Sequence, residues 1–311
     1  MNSTPKNFSG KPIATPKNII WYRISQFIGF LLGARVFVTI LLAFALYVCT
    51  FFLFNQEESL SNFVFDFKVH GIIFCAILSI LAGGIINQFY DREKDQFTKP
   101  FRTKLQRFLK QKYFLYFYLL LNILSLGIAA FISPRVFVFF VFYQFLMWYY
   151  SHQLSKLLII NNLSFVLLTL YPFFGMLVYY QTFSMKIFLM AIFLFLMLLI
   201  IDIIKDMLTK NADRIFGYIT ISNYFGSKIS RNVVIVLLII LMLISAAIVQ
   251  KTGLINMMAY YFSFGLFVNI FVIYLLLQDK RNSRFFSINM LRMWLFVGIL
   301  AMLADGIIKH F

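Results

Sequence analysis

"LAGGIINQFYDREKD", residues 81–95, ends an apolar run with Asp91, Glu93 and Asp95. The run behind it, about 69–90, is long enough to cross a bilayer, whose core of about 30 Å needs roughly 20 helical residues. Acids at the rim of such a span are costly to place and point to a use. Asn87, Asp91 and Asp95 are spaced by four, so on an α-helix they line one face, each about 6 Å beyond the last. A second window has the same character. In residues 202–226, "DIIKDMLTKNADRIFGYITISNYFG", Asp202, Asp206, Thr209 and Asp213 are spaced by four, three and four, again one helical face.

The rest of the chain explains why these acids stand out. Its 311 residues are 62% hydrophobic, with a mean hydropathy of +0.86. Long apolar stretches separated by short polar ones define an all-α polytopic membrane bundle. Nine transmembrane helices are predicted, at about 30–54, 69–90, 113–131, 134–151, 156–179, 186–206, 232–250, 256–277 and 288–308. A closed β-barrel is excluded because its strands alternate in polarity, whereas these runs are continuously apolar. The polar N-terminal tail, 1–17, carries Pro5, Pro12 and Pro16 and lacks the apolar core of a signal peptide. Residues 18–30 read as an interfacial helix, with Trp21, Tyr22 and Arg23 at headgroup depth. No linker divides residues 18–311, which read as one domain. Cys49 and Cys75 fall within spans and read as small core residues.

The net charge of +17 does not indicate nucleic acid. The basic residues crowd three short loops. Loop 91–112 holds Arg92, Lys94, Lys99, Arg102, Lys104, Arg107, Lys110 and Lys112; 205–231 holds Lys205, Lys210, Arg214, Lys228 and Arg231; 278–292 holds Lys280, Arg281, Arg284 and Arg292. The positive-inside rule makes these loops cytoplasmic, with the N-terminus inside and the C-terminus outside. Of eleven acids, Glu57, Glu58 and Asp66 lie in the outer loop and Asp279 and Asp305 are isolated; the remaining six form the two windows. Two carboxylate faces that meet across a bundle repel each other unless cations sit between them. Mg²⁺ suits such a site, because it takes oxygen ligands, keeps waters and bridges carboxylates to a substrate phosphate. Neither window holds Cys or His, which argues against Zn²⁺.

The first window resembles the NxxxDxxxD signature of UbiA-type intramembrane prenyltransferases, and the second is similar to that family's second acidic motif. Lys205, Asp206, Asp213, Gly217, Thr220 and Gly226 match, with Asp202 in place of the family's Glu. "YSHQLSK", residues 150–156, resembles the family's loop between the two. Thr209 and Ala212 depart from the pattern, which usually has Asp and Gly there. The resemblance implies transfer of a prenyl group from a polyprenyl diphosphate donor to an aromatic or lipid acceptor. It implies two Mg²⁺ held by Asn87, Asp91, Asp95, Asp202, Asp206 and Asp213, with Asp91, Asp95, Asp206 and Asp213 as the catalytic acids.

Lys205, Arg102 and Arg214 are then candidates to pair with phosphate oxygens, and Tyr150 and Tyr90 to flank the reacting carbon. Gly83 and Gly84 either widen a substrate groove or allow close helix packing. An alternative is a non-catalytic lipid-binding member, favoured by the neutral Thr209. A transporter with a cation site explains the acids but not the motif spacing. Composition, without a eukaryotic targeting sequence, points to a bacterial inner membrane with the site at its cytoplasmic side.

Overall fold

The computed structural model describes residues 24, 27–29, 31–32, 35–55, 60–100, 111–252 and 257–310. The tail 1–17, most of the 18–30 segment and Arg102 lie outside the described residues. Helix α1 (Val36–Cys49) runs into a π-helical turn, Thr50–Phe54; α2 (Leu60–Phe65) is short. There follow α3 (Phe67–Tyr90), α4 (Arg92–Thr98), α5 (Gln111–Ile132), α6 (Pro134–His152) and, after a 3₁₀ turn at Leu154–Lys156, α7 (Ile160–Tyr180). The second half holds α8 (Met185–Ile215), a single turn α9 (Ile221–Tyr224), α10 (Ser227–Thr252), α11 (Met257–Leu277) and α12 (Arg281–His310). The described residues contain no strand.

Among the described residues, eight helices are long and apolar enough to cross a membrane. The ninth expected span is present as α6, with bounds close to those predicted, but Arg135, Gln144, Trp148 and its tyrosines interrupt it, so it lacks a stretch as apolar as those of the other eight. Large side chains such as Phe67 and Phe131 face outward, which suits a surface solvated by lipid. Inside, polar side chains pair between helices. Ser79 and Ser125 lie 3.1 Å apart and Gln144 donates to Ser79 at 3.3 Å, tying α3, α5 and α6.

Two large apolar cores divide the described part of the bundle, with a small third cluster around Ile85 and Phe114. One joins α1, α3, α5 and α6 through Leu46, Ile73, Phe140 and Tyr143. The other joins α8, α10, α11 and α12 through Met197, Ile200, Leu238, Phe262 and Leu291. Helix α7 contributes to both, with Met176 and Leu168 to the first and Val166 to the second.

Local signals set the helix ends. Asp66 caps α3 by accepting from the amides of Lys68 and Val69, and Ser184 caps α8 by accepting from Ile187. Helix α8 runs 31 residues, about 47 Å, so it projects beyond the hydrocarbon core and carries the whole second acidic window on one continuous helix. It stops at Gly217, whose φ of +73° is the left-handed conformation that glycine adopts freely.

The three basic loops share one end of the bundle. Lys94 pairs with Asp213 at 2.6 Å and Arg231 with Asp279 at 3.7 Å, linking the first loop to the second and the second to the third. The isolated acids serve the scaffold. Asp279 also pairs with Arg284, and Asp305 accepts from the amide of Met257 at the start of α11. Cys49 and Cys75 are free thiols, as expected of small core residues.

Candidate functional site

Helix α3 ends where Asp91 takes φ −84° and ψ 6°, yet the hydrogen-bond ladder runs on. The Asp91 amide donates to Asn87 O at 2.9 Å and the Asp95 amide to Asp91 O at 2.8 Å. The four-residue spacing therefore survives the bend, and Asn87, Asp91 and Asp95 form one column. Asn87 donates to Asp91 at 2.8 Å. Asp95 is buried and accepts from Lys99 at 2.8 Å. Glu93 points away and is exposed, so it does not share the column.

On α8 the acids are more deeply enclosed: Asp202, Asp206 and Asp213 are 1%, 4% and 0% exposed. Buried carboxylates persist only with partners. Asn162 supplies one, its amide donating to Asp202 at 2.7 Å and to Asp206 at 2.8 Å. Lys205 ion-pairs with Asp202 and reaches Asp206 at 3.5 Å. Asn161, also buried, lies 3.5 Å from both Asp206 and the Tyr150 hydroxyl. Asp213 ion-pairs with Lys94 through one oxygen at 2.6 Å and accepts from Thr209 on the other at 2.7 Å.

The two windows meet. Tyr218, just past the end of α8, donates its hydroxyl hydrogen to Asp91. Its ring lies under the Lys94 ammonium, 3.7 Å from the centroid, a cation–π contact. Burial first, and then the Asp91 carboxylate beside it, push the Tyr218 phenol above its ordinary range, so it remains a donor. The Tyr218 backbone is held from both sides, its amide on Asp213 O and its carbonyl accepting from Asn223. Lys156 O accepts from the Ile219 amide at 3.0 Å, joining the 150–156 loop to the same corner. Tyr150 stands between the windows, within electrostatic reach of Asp91, Asp202, Asp206 and Lys205.

Sequence reasoning missed Asn161, Asn162 and Tyr218. The one available signal was two adjacent amides opening an apolar span at 160, where water alone does not account for them. Arg214 is exposed and makes no ion pair among the described residues, so the structure does not bring it to the cluster. Gly83 does not open a groove. A Cβ there would lie 1.9 Å from Met147 Cε, so its role is close packing of α3 on α6. His152 stacks on Trp148 and is exposed.

The residues suit a hard divalent cation by their chemistry. The donors are all oxygens of carboxylates and amides. Asn162 Oδ1 is buried without a partner, and the orientation of that amide is fixed by the two bonds its nitrogen makes. Asp91 has no ammonium or guanidinium partner among the described residues. No three His, Cys, Asp or Glu side chains there converge on one point, so bound water or substrate oxygens must complete any shell. Beside Asn162, an apolar cavity of about 340 Å³ runs between α7, α8, α9 and α10, lined by Leu163, Leu199, Ile203, Phe225, Ile229 and Val233. That volume falls within the roughly 300–1,000 Å³ typical of ligand pockets.

A helical membrane bundle with two facing acidic columns at its basic end defines the class of protein. Residues 46–296 match the UbiA prenyltransferase family, and the chain belongs to it. It is 30% identical over 156 residues to the digeranylgeranylglyceryl phosphate synthase of Methanosphaera stadtmanae; the match covers 50% of this chain and 56% of that protein, so the chain spans little more than half the length of this relative. Three solved structures share the fold over most of the molecule. A UbiA homologue from Aeropyrum pernix in the apo state gives a TM-score of 0.68 at 15% identity, covering 88% of this chain and 98% of that one. One from Archaeoglobus fulgidus, bound to GPP and Mg²⁺, gives 0.63 at 14%, covering 89% and 99%. A digeranylgeranylglyceryl phosphate synthase structure gives 0.66 at 20%, covering 91% and 99%.

Proposed function

We propose that this chain is a Mg²⁺-dependent prenyltransferase that moves a polyprenyl group from its diphosphate to a lipid acceptor at the cytoplasmic face of the membrane. The observation that carries this reading is the meeting of the two acidic columns through the Tyr218–Asp91 and Lys94–Asp213 contacts, with Tyr150 between them. The lipid acceptor, of glycerol-phosphate type, rests on the similarity to the Methanosphaera stadtmanae enzyme and on the apolar cavity that has Asn162 in its wall. The cytoplasmic placement rests on the basic loops gathered at this end, and the bacterial inner membrane on composition alone.

Asn87, Asp91, Asp95, Asp202 and Asp206 would hold Mg²⁺, which supplies the positive field that a leaving diphosphate requires. The chain's own residues do the rest. Lys205 is aimed at the acids and lies 5.1 Å from the Phe165 ring centroid, placed to pair with a phosphate oxygen. Asn162 holds Asp202 and Asp206 side by side against their mutual repulsion. The Tyr150 ring offers an electron-rich face to an allylic carbon as its C–O bond breaks. Spans packed around the acids exclude the water that would otherwise capture that carbon.

The test is conversion of geranylgeranyl diphosphate, with Mg²⁺, by detergent-purified protein supplied with a glycerol-phosphate lipid or an aromatic acid. Transfer to the lipid that depends on Mg²⁺ and fails in Asp91→Ala supports the reading. Thr209, a neutral side chain in an acidic column, favours a non-catalytic lipid-binding role. In that case Mg²⁺ and diphosphate leave the melting temperature unchanged.

A further inference from the structure

We infer that Lys94 acts as a built-in cation at the Asp213 end of the site, so that the chain holds one divalent ion where two acidic columns would otherwise call for two. This rests on the proposed function and concerns how many ions that chemistry uses here.

The argument is one of charge pairing. Five carboxylates face the site. Three have an ammonium of their own: Asp95 has Lys99 at 2.8 Å, Asp202 has Lys205, and Asp213 has Lys94 at 2.6 Å. Asp91 is bonded by the neutral Asn87 and Tyr218. Asp206 shares Lys205 only at 3.5 Å and leans on the neutral Asn161 and Asn162. Among the described residues two carboxylates, one on each column, thus lack a full partner charge, and one divalent cation balances two. The orphaned Asn162 Oδ1 adds a neutral oxygen beside Asp206.

Asp213 is a different case. One oxygen accepts from Thr209, the other lies 2.6 Å from the Lys94 ammonium as an ion pair, and the residue is 0% exposed, so its charge is already matched inside the protein. The Lys94 contact is also built rather than incidental. Its stem lies on α4 within the first acidic window, and its ammonium is fixed between the Asp213 carboxylate and the face of the Tyr218 ring, with its side chain 18% exposed. A cation clamped on two sides cannot leave without exposing a buried charge, a change that costs far more than a surface pair would. Thr209 fits the same arrangement, because it donates a hydrogen to Asp213 where a carboxylate at that position would repel it.

The experiment counts bound Mn²⁺ per chain by electron paramagnetic resonance, on full-length protein in detergent micelles saturated with a geranylgeranyl thiolodiphosphate analogue. One Mn²⁺ is expected for the wild type and for Lys94→Arg, which keeps the charge. Two are expected for Lys94→Met, whose freed Asp213 then requires a cation. Two in the wild type, or one in a folded Lys94→Met, overturns the inference while leaving the prenyltransferase reading intact. None in the wild type overturns both. Should Lys94→Met fail to fold, Asp213→Asn decides the matter. It retains one Mn²⁺ if Asp213 is not a ligand, and a drop to none overturns the inference.

Discussion

Tyr218 donates to Asp91 across 127 residues of chain, joining the loop after α8 to the end of α3. A hydrogen bond to a charged acceptor contributes about 1.5–3 kcal/mol, and its loss leaves a half-buried carboxylate short of a partner. Tyr218→Phe is therefore expected to lower the thermal midpoint and to reduce turnover on the order of tenfold. Addition of Mg²⁺ should restore part of the stability, because it supplies Asp91 with a new partner. A differential scanning fluorimetry series with and without Mg²⁺ checks this.

The same tyrosine sets a pH response. Its folded pKa lies above the ordinary value of about 10, so its contribution is fully present below pH ~10. That contribution is lost as pH rises toward the folded value. Wild-type stability should fall more steeply above pH ~10 than that of Tyr218→Phe, and the two curves should run parallel from pH 6 to 9. Identical slopes at alkaline pH would show that the phenol does not hold its proton in the folded site.

Asn162 restrains two like charges on adjacent helical turns. Asn162→Leu keeps the volume and removes the amide. Residues that orient metal ligands typically account for 10–100-fold in metal affinity or activity. The variant should raise the Mg²⁺ concentration for half-maximal activity by about that factor, with a smaller change in the lipid's KM.

Asp91 and Glu93 form a matched pair for testing geometry against composition. Both belong to the same acidic stretch, but only Asp91 joins the column. Asp91→Ala should cost on the order of 100-fold or more in kcat/KM and abolish the Mg²⁺-dependent rise in melting temperature. Glu93→Ala should leave both within twofold. Equal losses would mean that net negative charge at this end, not ligand geometry, governs the site.

The cavity beside Asn162 offers a size test. Ile229 lies on its wall and is about half exposed, so Ile229→Trp narrows the space with little strain on the core. Apolar pockets discriminate by about 1–3 kcal/mol per methylene. The variant should raise the KM of a long-chain lipid acceptor about tenfold and that of a short-chain one little. A uniform effect on both would place the hydrocarbon elsewhere.

The spans and the acidic columns were legible because both rest on short-range periodicity. Apolar length marks a membrane helix, and a spacing of four marks a face. What escaped notice depends on contacts between distant segments. Asn162 meets Asp202 and Asp206 from 40 and 44 residues away. In sequence it is only an amide near a helix start, where amides commonly cap. Lys94 reads as one more basic residue in a basic loop, and only the approach of α8 gives it Asp213. Gly83 shows the limit from the other side: a small residue permits both a groove and a close contact, and Met147 on α6 decides between them.

The division of the acids between the two cores has a consequence for biogenesis. Helices enter the membrane in order, and synthesis proceeds at about 5–20 residues per second, so Asp91 waits roughly 6–25 s for Tyr218 to emerge. During that interval Asp91 lacks the Tyr218 hydroxyl, whereas the acids of α8 emerge after Lys94, Asn161 and Asn162 are already made. A chain that stalls after α7 displays half a site with no function, whereas a finished one locks its two halves together through the same charges that define its chemistry. Onset of competence then waits on Tyr218, and a nascent chain that ends before it has no stage at which it is half active.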